Sequence, residues 1–343
     1  MTVPEEKAED PREIRRIAAE VGRSVVGAAI ARAQAHGLGG DGSIEGHPIA
    51  GDARATVLVE ALPYIRRFAG AVIVVKYGGS VRRDSAPEDG EGERIPLRAD
   101  LSTFVEDISL LRAVGMKPVV VHGGGPQIGE MMVKLGKEPI FKDGLRVTDA
   151  ETLDIARMVL VGKINPEIVA AMNVNGPIAV GLSGADAGLI TAAPKADNLG
   201  FVGDVGGVDP TIVTRLLCED LVPVVATIGS DTAGQAYNIN ADTVAGAVAE
   251  AIGAEKLIYL TDVPGILADP EDPDSLVRFL GSGELAAMMA GGSLRGGMIP
   301  KAASCLRAVR SGVRAAHILD GRVPHVLLLE VLTDQGTGTM VCQ

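Results

Sequence analysis

The sequence predicts an α/β protein built on a doubly wound, mainly parallel sheet, and three observations carry that prediction. Short β-branched apolar runs alternate with amphipathic helical stretches along most of the chain. The composition is 47% hydrophobic with 44 glycines but only 3% aromatics, which suits a Val, Ile, Leu and Ala core with many tight turns. The run Val119-Val120-Val121-His122-Gly123-Gly124-Gly125-Pro126 reads as a buried strand, a glycine turn and a helix start with proline in its first turn.

At 343 residues the chain is long enough for about two lobes and a large core. Residues 1–53 read as an extension. Asp10-Pro11-Arg12-Glu13 supplies an N-cap, a first-turn proline and a capping-box acid, after which Ile14, Ile17, Ala18, Val21, Val25 and Ala28 recur at helical spacing. A glycine-rich linker covers residues 37–51. Its Gly37-Leu38-Gly39-Gly40-Asp41-Gly42 matches GxGxxG but lacks the preceding strand that a dinucleotide fingerprint requires. A second helix covers residues 54–70, with Leu58, Ala61, Leu62, Ile65 and Phe68 on one face and Pro63 placed to kink it.

The first sheet strand is the run Val72-Ile73-Val74-Val75, leading into Lys76-Tyr77-Gly78-Gly79-Ser80. Asp84–Asp100, rich in acids and punctuated by proline and glycine, reads as a solvated loop inserted before a helix at about Thr103–Val114. The glycine-turn strand and its helix follow. Further strands are expected near Ile178–Leu182, Pro223–Ile228, Lys256–Thr261 and Ala315–Leu319.

The net charge of -12 excludes a chain-wide basic surface of the kind that tracks a nucleic-acid backbone. Cys218, Cys305 and Cys342 are scattered, which indicates neither a disulfide framework nor a zinc site. The polar, acidic start is no secretory signal and no apolar run is long enough for a bilayer, so the expected compartment is the cytoplasm.

The candidate chemistry sits at strand ends. A strand–glycine–helix junction points unpaired N–H groups and the positive helix end at one spot, which suits a phosphate or carboxylate. Lys76 ends the first strand beside Gly78 and Gly79, where ligands bind in open parallel sheets. Lys142–Thr148 reads as a hairpin with an Asp-Gly turn, and its Arg146 could bind a carboxylate or lie as an ordinary surface arginine. Tyr237-Asn238-Ile239-Asn240-Ala241-Asp242 precedes an Ala/Val-rich helix, with Asn240 as N-cap and Asp242 in the first turn. Gly296-Gly297-Met298-Ile299-Pro300-Lys301 is a second glycine–helix junction, with Pro300 near the first helical position and Lys301 where the dipole disfavours a cation. No GxxxxGK[ST], HExxH or Ser/His/Asp set is present, and His122 reads as a hydrogen-bonded core histidine. Two lysines, two glycine turns, an aspartate and an arginine are the parts that phosphoryl transfer uses for positioning and charge neutralisation.

From about Thr56 to Val341 the chain resembles the acetylglutamate kinases of the amino-acid kinase family. The resemblance rests on VVKYGGS, VVVHGGGPQIGEMM, KDGLRVTD, MVLVGKINPEIV, LGFVGD, YNINAD, LTDVPGIL, GGMIPK and GTGTM in unbroken order. It implies a three-layer αβα sandwich, with residues 71–229 as the amino-acid lobe and 230–343 as the nucleotide lobe. The implied activity is phosphorylation of the side-chain carboxylate of N-acetyl-L-glutamate by ATP, with Mg2+ carried by the nucleotide. Lys76 and Lys301 would stabilise the transferring phosphoryl group and Asp242 would hold both lysines. Gly78, Gly79, Gly124 and Gly125 would offer N–H groups, Arg146 would bind the α-carboxylate, and Asn238 and Asn240 would orient the substrate. The resemblance extends to arginine-inhibited members, in which the kinked helix interlaces dimers into a hexamer, a trimer of dimers. There, Tyr64 and a C-terminal segment with Glu330, Gly336 and Gly338 would bind arginine. A PII-type signalling protein is a partner of some relatives.

Ser80, Ala185 and Ala268 depart from residues common in relatives: asparagine, lysine and a lysine near the arginine site. Together with the acidic insertion they motivate an alternative, a paralogous kinase of a related N-acylated amino acid such as an aminoadipate derivative. A non-catalytic arginine- or nucleotide-sensing subunit is a third reading, opposed by retention of both lysines and Asp242.

Overall fold

The computed structural model describes every residue except 1–50, 79–98, 143, 175, 196–197, 270, 273 and 334–335. The helix expected at residues 10–28, nearly all of the linker and most of the acidic segment therefore lie outside the described residues.

Helix α1 (Gly51–Phe68) contains Pro63. It is followed by β1 (Val72–Tyr77), α2 (Ala99–Ala113), β2 (Lys117–His122) and α3 (Gly125–Lys134). A hairpin of β3 (Phe141–Lys142) and β4 (Leu145–Arg146) leads to α4 (Ala150–Val159), which passes through a π-helical turn at Leu160–Ile164 into α5 (Asn165–Asn173). Then come β5 (Ala179–Ser183), β6 (Ile190–Pro194), β7 (Val202–Val208), α6 (Thr211–Cys218), β8 (Val222–Ala226), β9 (Ile228–Ser230) and β10 (Ala236–Ile239). The chain ends with α7 (Ala241–Ala251), β11 (Lys256–Thr261), β12 (Phe279–Gly281), α8 (Ser282–Ala290), α9 (Met298–Arg310), β13 (Ala315–Asp320), α10 (Val326–Leu332) and β14 (Thr339–Cys342).

Eight strands form one sheet in the order β12-β14-β13-β11-β1-β2-β8-β5. Neighbours run parallel except β13 and β14, so the doubly wound reading holds, with β14 and the edge strand β12 running opposite to the other six. Strands β6, β7, β9 and β10 close a small separate barrel.

Side-chain alternation divides the central strands between two cores. Ile73, Val75 and Tyr77 of β1 and Val120 of β2 join residues of α2, α4, α5 and α10. Val74 of β1 and Val119 and Val121 of β2 join residues of α6, α7, α8 and α9. The result is helices, sheet and helices in three layers. The same period of two aims Lys76 at the α7/α9 layer and His122 at the α4/α5 layer.

Three expectations need correction. Ala99 and Asp100, read as the end of an acidic loop, belong to the first turn of α2. The strand expected at Pro223–Ile228 breaks at Thr227, because the chain leaves the main sheet there and enters the barrel. Leu62 is 41% exposed, while Ala61 and Ile65 pack on the core and Phe68 is buried in it.

Candidate active site

The site forms where the C-terminal ends of β1 and β2 meet the N-termini of α3, α7 and α9. Lys76 pairs in register with Val121 on one side and Tyr259 on the other, which places its ammonium beside the glycine turn. Topologically this is where the chain winds one way through β2, β8 and β5 and later the other way through β11 and β13, the position at which open α/β sheets bind ligands.

Asp242 is the centre of the charge arrangement. Its Oδ1 lies 2.9 Å from Lys76 Nζ and its Oδ2 lies 3.2 Å from Lys301 Nζ. Burial would push this carboxyl up, but the charges and hydrogen bonds of the two lysines outweigh it and hold the group below the ordinary carboxylate range. The three side chains together carry one net positive charge into a site only 11% and 17% open at the lysine side chains. That is a receptor for an anion.

Local sequence explains the placement. Asn240 caps α7, its Oδ1 accepting from the N–H groups of Asp242 (2.8 Å) and Thr243 (3.3 Å), so the first-turn aspartate is set by the cap. Gly297 is the N-cap of α9, which puts Pro300 at the third helical position rather than the first; its missing N–H is still one of the four that have no helical partner. Lys301 then lies one turn in, 3.3 Å from the Gly297 carbonyl.

The triple glycine has a different reason at each position. A Cβ on Gly123 would come within 3.1 Å of Ala241 Cβ, and one on Gly124 would collide with Ile164 and Leu160 of the π-helical turn. A Cβ on Gly125 would meet nothing within 4 Å. Gly124 is buried, and neither its N–H nor that of Gly125 has an acceptor among the described residues.

Arg146, on the predicted hairpin, folds over the same helix start. Its Nη2 donates to the Gly125 carbonyl (2.7 Å), and its guanidinium lies over the Phe141 ring, 4.7 Å from the centroid. Burial pulls its pKa down from the ordinary arginine value. Asn238 lies on β10 between the buried Tyr237 and Ile239, and its side chain has no hydrogen-bond partner among the described residues. Gly78 is buried at the end of β1, and Gly79 lies outside the described residues.

The Amino acid kinase family model matches residues 71–320. The chain belongs to the amino acid kinase family. It is 51% identical over 289 residues to the acetylglutamate kinase of Trichormus variabilis, covering 84% of this chain and 93% of that protein. It is 52% identical over 298 residues to the acetylglutamate kinase of Symbiobacterium thermophilum, covering 84% and 97%. Among solved structures, N-acetylglutamate synthase from Neisseria gonorrhoeae, complexed with coenzyme A and N-acetyl-glutamate, superposes with a TM-score of 0.72 at 24% identity. That match covers 84% of this chain but only 63% of the synthase chain. Carbamate kinase from Giardia lamblia bound to AMP-PNP gives a TM-score of 0.60 at 16% identity, covering 80% of this chain and 99% of that one. These distant structures share the kinase fold.

Within this family frame, two residues that motif reading passed over tie the lysine-bearing helix to the aspartate-bearing one. Ser304 Oγ donates to the Asp242 carbonyl (2.9 Å), and Tyr259 Oη lies 2.6 Å from Ser304 Oγ and 3.1 Å from that same carbonyl. Ser304 stands three residues after Lys301, on the same face of α9. Gly246 carries no side chain because a Cβ would collide with Ser304 Oγ. The one available signal was helical spacing from Lys301.

Tyr64, Glu330 and Gly336 line a cavity of about 360 Å³ whose walls include neither Lys76 nor Lys301. Gly338 is not among its walls; it passes so close to the Ile318 carbonyl that a Cβ would not fit. Within the cavity, His317 Nδ1 is 2.7 Å from Glu330 Oε1 and its Nε2 is 3.0 Å from Lys256 Nζ. Because a lysine ammonium can only donate, Nε2 accepts and Nδ1–H donates to the carboxylate. The Gly336 carbonyl accepts from Arg278.

Proposed function

We propose that this protein transfers the γ-phosphoryl group of ATP to the side-chain carboxylate of N-acetyl-L-glutamate, giving N-acetyl-L-glutamyl 5-phosphate, the second step of arginine synthesis through acetylated intermediates. Kinship at about half identity with acetylglutamate kinases over most of the chain supports the substrate. The observation that carries the chemistry is Asp242 gripping Lys76 and Lys301 beside a glycine turn whose Gly124 and Gly125 N–H groups have no acceptor among the described residues.

The acceptor carboxylate is already ionised at neutral pH, so the reaction needs no general base. One carboxylate oxygen forms the new P–O bond as the bond between the γ-phosphorus and the β–γ bridging oxygen breaks, and ADP leaves with that electron pair. Lys76 and Lys301 neutralise the oxygens on either side of the transferring group, while Asp242 keeps the two ammoniums from repelling each other out of position. Gly78, Gly79, Gly124 and Gly125 donate backbone N–H groups. Arg146 takes the α-carboxylate as a fork, with Asn238 and Asn240 flanking the substrate. The donor set, ammoniums and N–H groups, suits phosphate oxygens rather than a metal, so Mg2+ travels with the nucleotide phosphates.

The sheet supports a division of labour. Residues 71–229 contribute β1, β2, β8 and β5 and would hold the amino acid; residues 230–343 contribute β11 to β14 and would hold the nucleotide. The cavity with Tyr64 and Glu330 would take arginine as an inhibitor. Assembly into a hexamer through α1, recognition by a PII-type protein and a cytoplasmic location complete the reading. Among the described residues no helix is long and apolar enough to cross a membrane.

A coupled ADP-release assay on the purified chain tests the activity. Turnover with N-acetyl-L-glutamate is expected, and a clear preference for an acyl aminoadipate instead would move the assignment to the paralogous kinase. Light scattering with and without arginine, and titration with purified PII protein, test the assembly and effector parts.

A further inference from the structure

We propose that His122 is a positioning residue for phosphoryl transfer: its Nδ1–H holds the Gly123 carbonyl and thereby turns the Gly124 N–H toward the transferring group. The inference rests on the reading above, in which that N–H faces the phosphoryl oxygens.

His122 is the last residue of β2 and is fully buried. Strand alternation turns it away from the lysine layer and toward Asn165, the first residue of α5 after the π-helical turn. Asn165 Nδ2 lies 2.8 Å from the Val224 carbonyl, which can only accept, so the amide orientation is set. The same nitrogen lies 3.1 Å from His122 Nε2. Nε2 therefore accepts, and the neutral imidazole carries its proton on Nδ1. Nδ1 is 3.2 Å from the Gly123 carbonyl, within reach to donate.

The consequence follows from peptide geometry. The Gly123 C=O and the Gly124 N–H belong to one planar trans unit and point in opposite directions. A hydrogen bond that fixes the carbonyl on the α4/α5 side fixes the N–H on the other, the side of Lys76 and Asp242. The Gly124 carbonyl is separately engaged by the Ile128 N–H at 2.9 Å. Ile164 and Leu160 of the π-helical turn fill the space where a Gly124 side chain would stand, so the turn packs directly against the glycine. Such turns are frequent at functional sites, and this one both seats Asn165 and backs the glycine.

The test uses the full-length chain. In His122→Asn the amide nitrogen occupies the place of Nδ1 and can still donate to the Gly123 carbonyl; in His122→Gln the amide oxygen takes the place of Nε2, accepting from Asn165, and no donor is left at the Gly123 carbonyl. His122→Gln is expected to lose about 100-fold in kcat, the scale for one misdirected oxyanion donor. Its KM values should stay within about threefold, because the lost contact matters most in the transition state. His122→Asn is expected to retain kcat within about tenfold of wild type on the same scale. Long-range 1H–15N correlation on the wild-type chain should show His122 protonated at Nδ1 and bare at Nε2. An Nε2–H tautomer, or His122→Gln turning over within about threefold of wild type, overturns the assignment, and the NMR result decides it even where a variant fails to fold. Wild-type turnover of N-acetyl-L-glutamate is measured alongside. Its absence would sink the underlying activity, whereas turnover indifferent to both variants would sink only the role of His122.

Discussion

Asp242→Asn is the most direct perturbation of the charge arrangement, because it removes a charge and keeps the shape. In the native chain each carboxylate oxygen serves one ammonium, at 2.9 and 3.2 Å. At those separations a unit pair has a gross attraction of about 5 kcal/mol at an effective dielectric of ~20. Much of that offsets the desolvation of a carboxylate that is only 4% exposed. An asparagine oxygen can still accept from one lysine, but its NH2 group then faces the other, donor against donor. Breaking a buried pair from one side costs about 3–5 kcal/mol. That cost falls on the folded state; on catalysis, displacing one preorganised electrostatic group is expected to raise the barrier by about 3 kcal/mol, or roughly a hundredfold in kcat. Steady-state ADP release with saturating ATP and N-acetyl-L-glutamate measures it. A variant with kcat within about threefold of wild type would refute the view that Asp242 holds the lysines for catalysis.

Gly124→Ala should destabilise the fold by about 1–3 kcal/mol in urea unfolding, because its methyl must displace Ile164 and Leu160. Gly125→Ala, with open space around it, should change stability by no more than about 0.5 kcal/mol, and equal losses in both would refute the packing account. Ser304→Ala should cost about 1–2 kcal/mol of stability by removing the link between α9 and the Asp242 carbonyl, and should lower kcat through Lys301; unfolding curves and ADP release read the two effects. His317 supplies a pH prediction. Burial, with Lys256 adding to it against the pull of Glu330, holds its pKa below 6.5, so below that pH the unfolded chain binds a proton that the folded chain does not. Its contribution is present above pH 6.5 and is lost as pH falls toward the depressed folded value. The melting temperature of wild type should therefore fall more steeply over that window than that of His317→Gln, and parallel curves would count against it.

The parts of the site that the sequence made legible are those encoded locally. Lys76 ends an apolar strand, Asp242 follows an asparagine cap and Lys301 follows a glycine and a proline, so each could be placed on its element from a few neighbours. Tyr259, Ser304 and Asn165 could not, because their roles depend on which helix packs on which strand end. Tyr259 Oη and the Asp242 carbonyl are 3.1 Å apart across 17 residues of chain, and Asn165 meets Val224 across 59. The exposure of Leu62 was missed for a related reason: a helical apolar stripe says which residues share a face, while how much of that face is covered is decided by what lies against it.

Alternation along β1 and β2 shows how, in the proposed mechanism, two unrelated sets of supports would converge on one small ligand. Lys76 and Tyr259 stand in register on neighbouring strands and face the same layer, so α7 and α9 can bring Asp242, Ser304 and Lys301 to them. His122 stands in register with Tyr77 rather than Lys76, one residue further along, and so faces the opposite layer. The charges are thus held from one side of the sheet and the glycine turn from the other. A cavity opened in either layer would disturb one half of the site and spare the other. Loss of the lysine grip would weaken charge neutralisation with the N–H donors still aimed, and loss of the Asn165–His122 support would do the reverse.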